Sequence, residues 1–369
     1  MFTSVFWNAP HKQLYERTGD PLGLDALREA MSDCLVPHIT GATRHADDYV
    51  WILVGLRWAG QRANTTVDAD VWEEFRKFER ALKQYWHRFT TRRDYLGKRE
   101  VAKLCKDARP NVGKRILENE RATGMLGSYI ASLRAIGLVE TSALSLTDYG
   151  ERLIRGVRFT ARTHAFTSWP ALNAAFISTE VEVRACRKSL GRHLFQDNRM
   201  SCAAQAFLAY PTASSWGGLA TRLASDQRRV ANACVAVLEV EREMIEAFCE
   251  LMAGRANLSA SQRARLRNAS SQTRKRQPIP EAWLNQPIAK ALEGAWLALS
   301  NGSRVEQQLI DLHTGIVHSI RGNDVWITRL GEKSLADYQP QFAGRDFRFK
   351  IMAHLLKETK WGQSGNRAG

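Results

Sequence analysis

The sequence predicts a mainly α-helical protein: helical bundle regions around one central helix–hairpin–helix unit, with a small α/β piece towards the C-terminal end. Three observations predict it. Apolar residues recur at helical spacing through most of the 369 residues. Between Gly124 and Ile154 that spacing is interrupted by a glycine and a short extended run. Near the end, Val325, Trp326, Ile327 and Thr328 read as a short strand closed by Gly331.

Residues 1–92 read as an N-terminal helical domain. Asp20-Pro21-Leu22-Gly23-Leu24 turns into a helix start, and Leu24, Leu27, Met31 and Leu35 form the apolar stripe that follows. Pro37 stops it. Thr43 is placed to cap the next helix, in which Tyr49, Ile52, Leu53 and Leu56 face inward beside Trp51 and Trp58. From Val71 to Phe89, Trp72, Phe75, Phe78, Leu82, Tyr85 and Trp86 fall at helical intervals. Aromatic stripes can stack bases, but platforms of that kind usually sit on sheets or clefts, so core is the expectation here.

Residues 93–160 hold the central unit. Val101, Leu104 and Cys105 give a first helix its inner face, Pro110-Asn111 breaks the chain, and Asn111 is placed to cap a second helix bearing Val112, Ile116 and Leu117. In the third helix Leu126, Tyr129, Ile130, Leu133 and Ile136 form one stripe, and Gly137 closes it in the left-handed conformation. Leu138 and Val139 start an extended run, residues 140–143 turn it, and Leu144 and Leu146 return it. Thr147 caps a last helix, with Asp148 and Glu151 near its positive end. The string Tyr129–Leu133–Gly137-Leu138-Val139, then Leu146-Thr147, then Gly150, resembles the winged helix-turn-helix superfamily. That resemblance implies a duplex DNA partner, with the third helix as the recognition helix.

Charge points the same way. The net charge of +15 and pI near 9.8 suggest a polyanion, nucleic acid ahead of an acidic membrane surface. Between His87 and Arg121 there are eleven Lys or Arg against five Asp or Glu, so Lys98, Arg99, Lys103, Lys106, Arg109, Lys114 and Arg115 are expected to contact phosphates. With Leu133 inward, the helical wheel turns Gly124, Ser128, Ala131 and Ala135 outward and sets Ser132 and Arg134 on the shoulders. Of these only Arg134 carries the paired donors that read guanine, so little sequence preference is expected.

Residues 161–300 read as a second helical domain. Phe166–Ala175 looks irregular around Trp169-Pro170, and helices follow near 181–195, 201–210, 217–252 and 283–299. Between the last two lies a basic loop, 255–276. From Leu251 to Pro280 there is no Asp or Glu, while Arg255, Arg263, Arg265, Arg267, Arg274, Lys275 and Arg276 are present. Its composition predicts a flexible or part-helical segment whose Arg263, Arg265 and Arg267 meet a second phosphate path. Residues 301–369 are expected to form a helix over 304–320, the short strand, a last helix over 347–356 and a disordered tail.

No catalytic constellation stands out. His313 and His318 are five apart, off the spacing of a helical zinc pair, and Asp47-Asp48 beside His45 reads as an acidic pair at a helix start. Asp324 and Glu332-Lys333 echo a nuclease set only loosely, and phosphate-loop, dinucleotide and serine-hydrolase motifs are missing. The six cysteines contain no CxxC pair, which argues against zinc and disulfide frameworks and fits a reducing cytoplasm. No apolar run reaches membrane-spanning length. The expectation is no cofactor, no metal and no enzyme.

Beyond the central unit, the order of motifs resembles a group of uncharacterised bacterial proteins of anti-phage defence islands. The resemblance is carried by Asp20–Leu24, by Thr43, Arg44, Tyr49 and Trp51, and by Phe75-x-x-Phe78-Glu79-x-x-Leu82. The chain departs from it at Asp47-Asp48, where an aromatic pair is usual. It implies a non-catalytic DNA-binding subunit working beside a helicase, nuclease or ATPase. The alternatives are a protein–protein adaptor or RNA-binding scaffold whose central unit contacts a partner, and a transcriptional regulator.

Overall fold

The structure is a computed structural model that describes residues 24–40, 43–63, 67–159, 166–209, 223–252, 257–279, 287–312 and 348–361. These residues are mainly helical. In chain order the helices are α1 (Leu24–Leu35), α2 (Ala46–Ala63), α3 (Asp68–Phe89), α4 (Lys98–Leu104), α5 (Glu120–Thr123), α6 (Met125–Ala135) and α7 (Asp148–Leu153). They continue as α8 (Trp169–Ala185), α9 (Arg187–Leu194), α10 (Asn198–Ala209), α11 (Ser225–Met252), α12 (Ala260–Arg276), α13 (Pro287–Asn301) and α14 (Phe349–Thr359). The strand expected at Val325–Thr328, and with it the small α/β piece, lies outside the described residues, as does the turn at Asp20–Gly23. No described helix is long and apolar enough to cross a membrane.

The chain divides into two compact units, one of residues 38–204 with 350–369 and one of residues 1–37 with 205–349. The first is built on α2, twelve of whose eighteen residues are buried. Helix α3 lies against it with Phe75, Phe78, Leu82, Tyr85 and Trp86 inside, so the aromatic stripe is core, as its spacing predicts. Phe159 and Phe176 complete the cluster, their rings 5.0 Å apart and 5.2 Å from Phe78 and Tyr85 respectively. Edge-to-face and offset contacts of this kind add to the area these rings bury.

Local expectations fail here in three places. Thr43 does not cap α2; its hydroxyl accepts from Thr40 N–H and donates to Thr40 O, and the helix start is taken by Glu358, whose Oε2 accepts the Ala46 N–H at 2.6 Å. Trp169-Pro170 does not mark irregular chain. It opens α8, with Ser168 as N-cap and proline in the first turn, where its missing N–H costs nothing. The helix read over 181–195 is two, α8 and α9, parted at Cys186.

The other unit packs α11 against α1 and α12, and α12 against α13. Val230, Cys234, Val237, Ile245 and Phe248 of α11 are buried at the helical spacing read from the sequence. Over its second part the basic segment takes the part-helical alternative and is not a flexible loop. Residues Ala260–Arg276 are a helix, opened by a capping box in which Ser259 and Gln262 satisfy each other's backbone N–H. Leu266 and Ala269 are buried in it, and Thr273 Oγ1 donates to Ala236 O of α11 at 3.0 Å.

Candidate nucleic-acid interface

The central unit is assembled on a polar row of α3. Glu79, Arg80, Lys83 and Gln84 are all buried and share one helical face. Arg80 pairs with Glu120 of α5, Nε to Oε1 at 3.0 Å and Nη2 to Oε2 at 2.5 Å, and its Nη1 also donates to the carbonyls of Val112 and Gly113. Gln84 exchanges two hydrogen bonds with the backbone of Asn111, both 3.0 Å. Glu79 holds Lys83 at 2.6 Å and accepts the Met125 N–H at the start of α6. These bonds explain why the helix expected from Asn111 is absent over 105–119. Backbone groups there are taken by α3 side chains, Asn111 Oδ1 closes a turn on Lys114 N–H, and only the single turn α5 remains helical.

The second half of the unit follows its sequence signals closely. Gly137 has φ +69°, Leu138 N–H reaches back to Leu133 O at 2.9 Å and Gly137 N–H to Arg134 O at 3.0 Å. That pair of bonds is a Schellman closure. Val139 and Leu146 form an antiparallel bridge, and Thr147 caps α7 by accepting from Gly150 N–H while its hydroxyl donates to Gly137 O. A Cβ at Gly150 would collide with the Leu138 carbonyl, so hairpin and α7 touch through bare backbone.

Helix α6 turns much of the surface expected to read DNA into core. Ser132 is 1% exposed and bonds Tyr49 Oη at 2.8 Å and the His38 carbonyl, so it cannot touch a base. The helical wheel set it on a shoulder; the shoulder is covered because α2 packs there. Arg134 is half-buried and donates to Glu140 O, clasping the hairpin. Ser128, Ala131 and Ala135 keep access to solvent.

Behind α6 lies a network that sequence spacing does not reveal. Arg92 forks onto Asp48 at 2.7 and 2.8 Å and reaches Asp94 at 3.1 Å, with its guanidinium 4.0 Å above the Trp86 ring. Tyr129 donates to Asp48 at 3.0 Å; burial, then the Asp48 charge, pushes its hydroxyl well above the ordinary tyrosine value, so it stays a neutral donor. Beside this network a cavity of about 480 Å³ opens at the first turn of α6, with Arg44, Lys83, Arg93 and Lys98 on its wall against Asp48 and Asp94.

The basic residues sort into two kinds. Lys98, Arg99, Lys106, Arg109, Lys114 and Arg115 are exposed on α4 and the 105–119 segment and form no ion pair with any described residue. Lys103 is exposed but shares its charge with Glu100 at 2.6 Å. In the other unit, Arg263 binds Glu306 at 2.6 Å and Arg265 binds Glu243 at 2.8 Å, so two of the six cations of α12 are met by carboxylates, from residues 305–312 and α11 respectively. Arg267 is exposed and its guanidinium lies against Gly302. Three residues read as one phosphate-seeking set thus divide, two of them already partnered.

Fold and site together define a mainly α-helical chain carrying a helix–hairpin–helix unit with an exposed basic rim. Compared with family models, curated proteins and solved structures, the chain matches none.

Proposed function

We propose that this chain binds duplex DNA through phosphate contacts made by the rim of the central unit, as a non-catalytic subunit of a larger assembly. The observation that carries the reading is the contrast in charge pairing: six cations on α4 and the 105–119 segment have no described carboxylate partner, whereas Arg263 and Arg265 do. Uncompensated charge on a rigid scaffold is what releases counterions from a phosphate backbone. The remaining open face of α6, with Ser128, Ala131 and Ala135, supports close approach without base reading. The resemblance drawn from the first 155 residues supplies the setting, a bacterial defence complex with a helicase, nuclease or ATPase as partner.

The test is affinity for duplexes of unrelated sequence, measured by fluorescence anisotropy across a salt series. Binding should fall steeply with salt and depend little on sequence; a flat salt response would overturn the reading. A second reading, a protein–protein adaptor, draws on Ile177 and Val181, apolar residues one turn apart on α8 that are 53% and 71% exposed. Preference for single strands or RNA in the same assay would favour the scaffold version of that alternative.

A further inference from the structure

His45, just before α2, and His354 and Glu358, one turn apart on α14, come together from opposite ends of the sequence. His354 Nε2 lies 3.1 Å from His45 Nδ1 and 3.1 Å from Glu358 Oε1, and His45 Nδ1 lies 3.4 Å from the same oxygen. We propose that these three atoms are the ligands of a divalent transition-metal ion of the zinc class, bound with a water molecule in the fourth position.

The geometry carries the assignment. Zinc bonds of about 2.0–2.1 Å in a tetrahedron set its ligand atoms about 3.3–3.4 Å apart, the size of this triangle. Hydrogen bonding accounts for it less well. If His45 donates through Nε2 to Asp94, which it contacts, its Nδ1 lone pair can accept from His354 Nε2–H but then faces the Glu358 oxygen at 3.4 Å with no proton between them. If His45 is instead doubly protonated, its Nδ1–H and the Nε2–H of His354 crowd the same carboxylate from 3.1 Å apart. A cation at the centre satisfies all three atoms at once.

The surroundings are those of a metal ligand set. The imidazole N–H on the far side of His45 meets a carboxylate, the arrangement that orients a ligating histidine and raises its basicity. Asp94 is itself held by Arg92, and the second oxygen of Glu358 is occupied by the Ala46 N–H at 2.6 Å. Of the atoms turned away from the triangle, His45 Nε2 and Glu358 Oε2 therefore each have a partner. Two histidines and one carboxylate leave a four-coordinate ion one open position. His354 is 45% exposed, so water has access to it. The ion would pin α14 to the start of α2, two elements of one compact unit.

The test uses the full chain, stripped with a chelator and dialysed. Zinc uptake is followed by calorimetry, and cobalt is used as a spectroscopic probe. One ion per chain and the visible spectrum of tetrahedral cobalt are expected. Because His354 is half exposed, His354→Ala should keep the helical circular dichroism of the parent while losing about a hundredfold or more in affinity, and Asp94→Asn about tenfold to a hundredfold. His87→Ala, outside the triangle, should bind as the parent does. No saturable uptake at micromolar zinc would overturn the proposal, as would uptake and a cobalt spectrum unchanged in His354→Ala. Neither result depends on DNA binding, so this site and the proposed function fail separately.

Discussion

Arg80 and Glu120 face each other with both side chains almost wholly buried, Nη2 to Oε2 at 2.5 Å, and together they hold the 105–119 segment against α3. Glu120 Oε1 also accepts the Ile116 N–H at 2.9 Å, so one ion pair holds Val112, Gly113 and Ile116 of an irregular stretch. Removing one partner strands the other charge. Arg80→Ala should cost about 3 kcal/mol in urea unfolding, with a lower midpoint and an unchanged slope. A loss under half that would show that the pair is solvated.

The same pair sets a pH dependence. Burial by itself raises the Glu120 carboxyl, but hydrogen bonds from Arg80 and the Ile116 N–H outweigh it and hold the group below its ordinary 4.5. A depressed carboxylate contributes stability above the unfolded-state pKa and loses it as pH falls through the folded value. The stability gap between the parent and Glu120→Gln should therefore be full near neutral pH and close as pH falls through the folded-state value, below the ordinary carboxyl range. A gap that stays constant in acid would show that charge is not the cause.

The hairpin closure rests on backbone geometry. Gly137→Val forces a branched side chain to φ +69° and should cost about 1–2 kcal/mol. Thr147→Ala removes the α7 cap and the bond to Gly137 O, for about 1–2 kcal/mol more when measured alone. Calorimetric melting checks both. Ala135→Ser, on the exposed side of α6, should melt with the parent.

Charge reversal separates the two basic sets. Lys106→Glu with Lys114→Glu should weaken duplex binding and lower the salt slope by about one unit per lost phosphate contact. Arg263→Ala with Arg265→Ala should leave that slope unchanged, because both guanidinium groups are already engaged by Glu306 and Glu243. A slope reduced equally by both pairs of changes would return α12 to the interface.

Ser132→Ala distinguishes a fold residue from a contact residue. It deprives Tyr49 Oη and the His38 carbonyl of their partner and should cost about 1–3 kcal/mol, with DNA affinity unaltered in protein that remains folded.

What the sequence by itself determined is local. The stripe of α11, the aromatic core face of α3, the end of α1 before Pro37, the Gly137 closure and the Thr147 cap were all legible, because each depends on residues within about two helical turns of one another. Tertiary structure alone decided where charge is left over. In the acid-free run of α12, Arg263 and Arg265 are met by Glu306 and Glu243, the helix start at Ala46 is capped by Glu358, and Asn111 is drawn out of a helix by Gln84. The triangle of His45, His354 and Glu358 joins residues 309 and 313 positions apart. Spacing carries no trace of such meetings. Electrostatic and hydrogen-bond partners are chosen by distance in space, and the chain's own pattern encodes only the neighbours that a helix or a turn brings together.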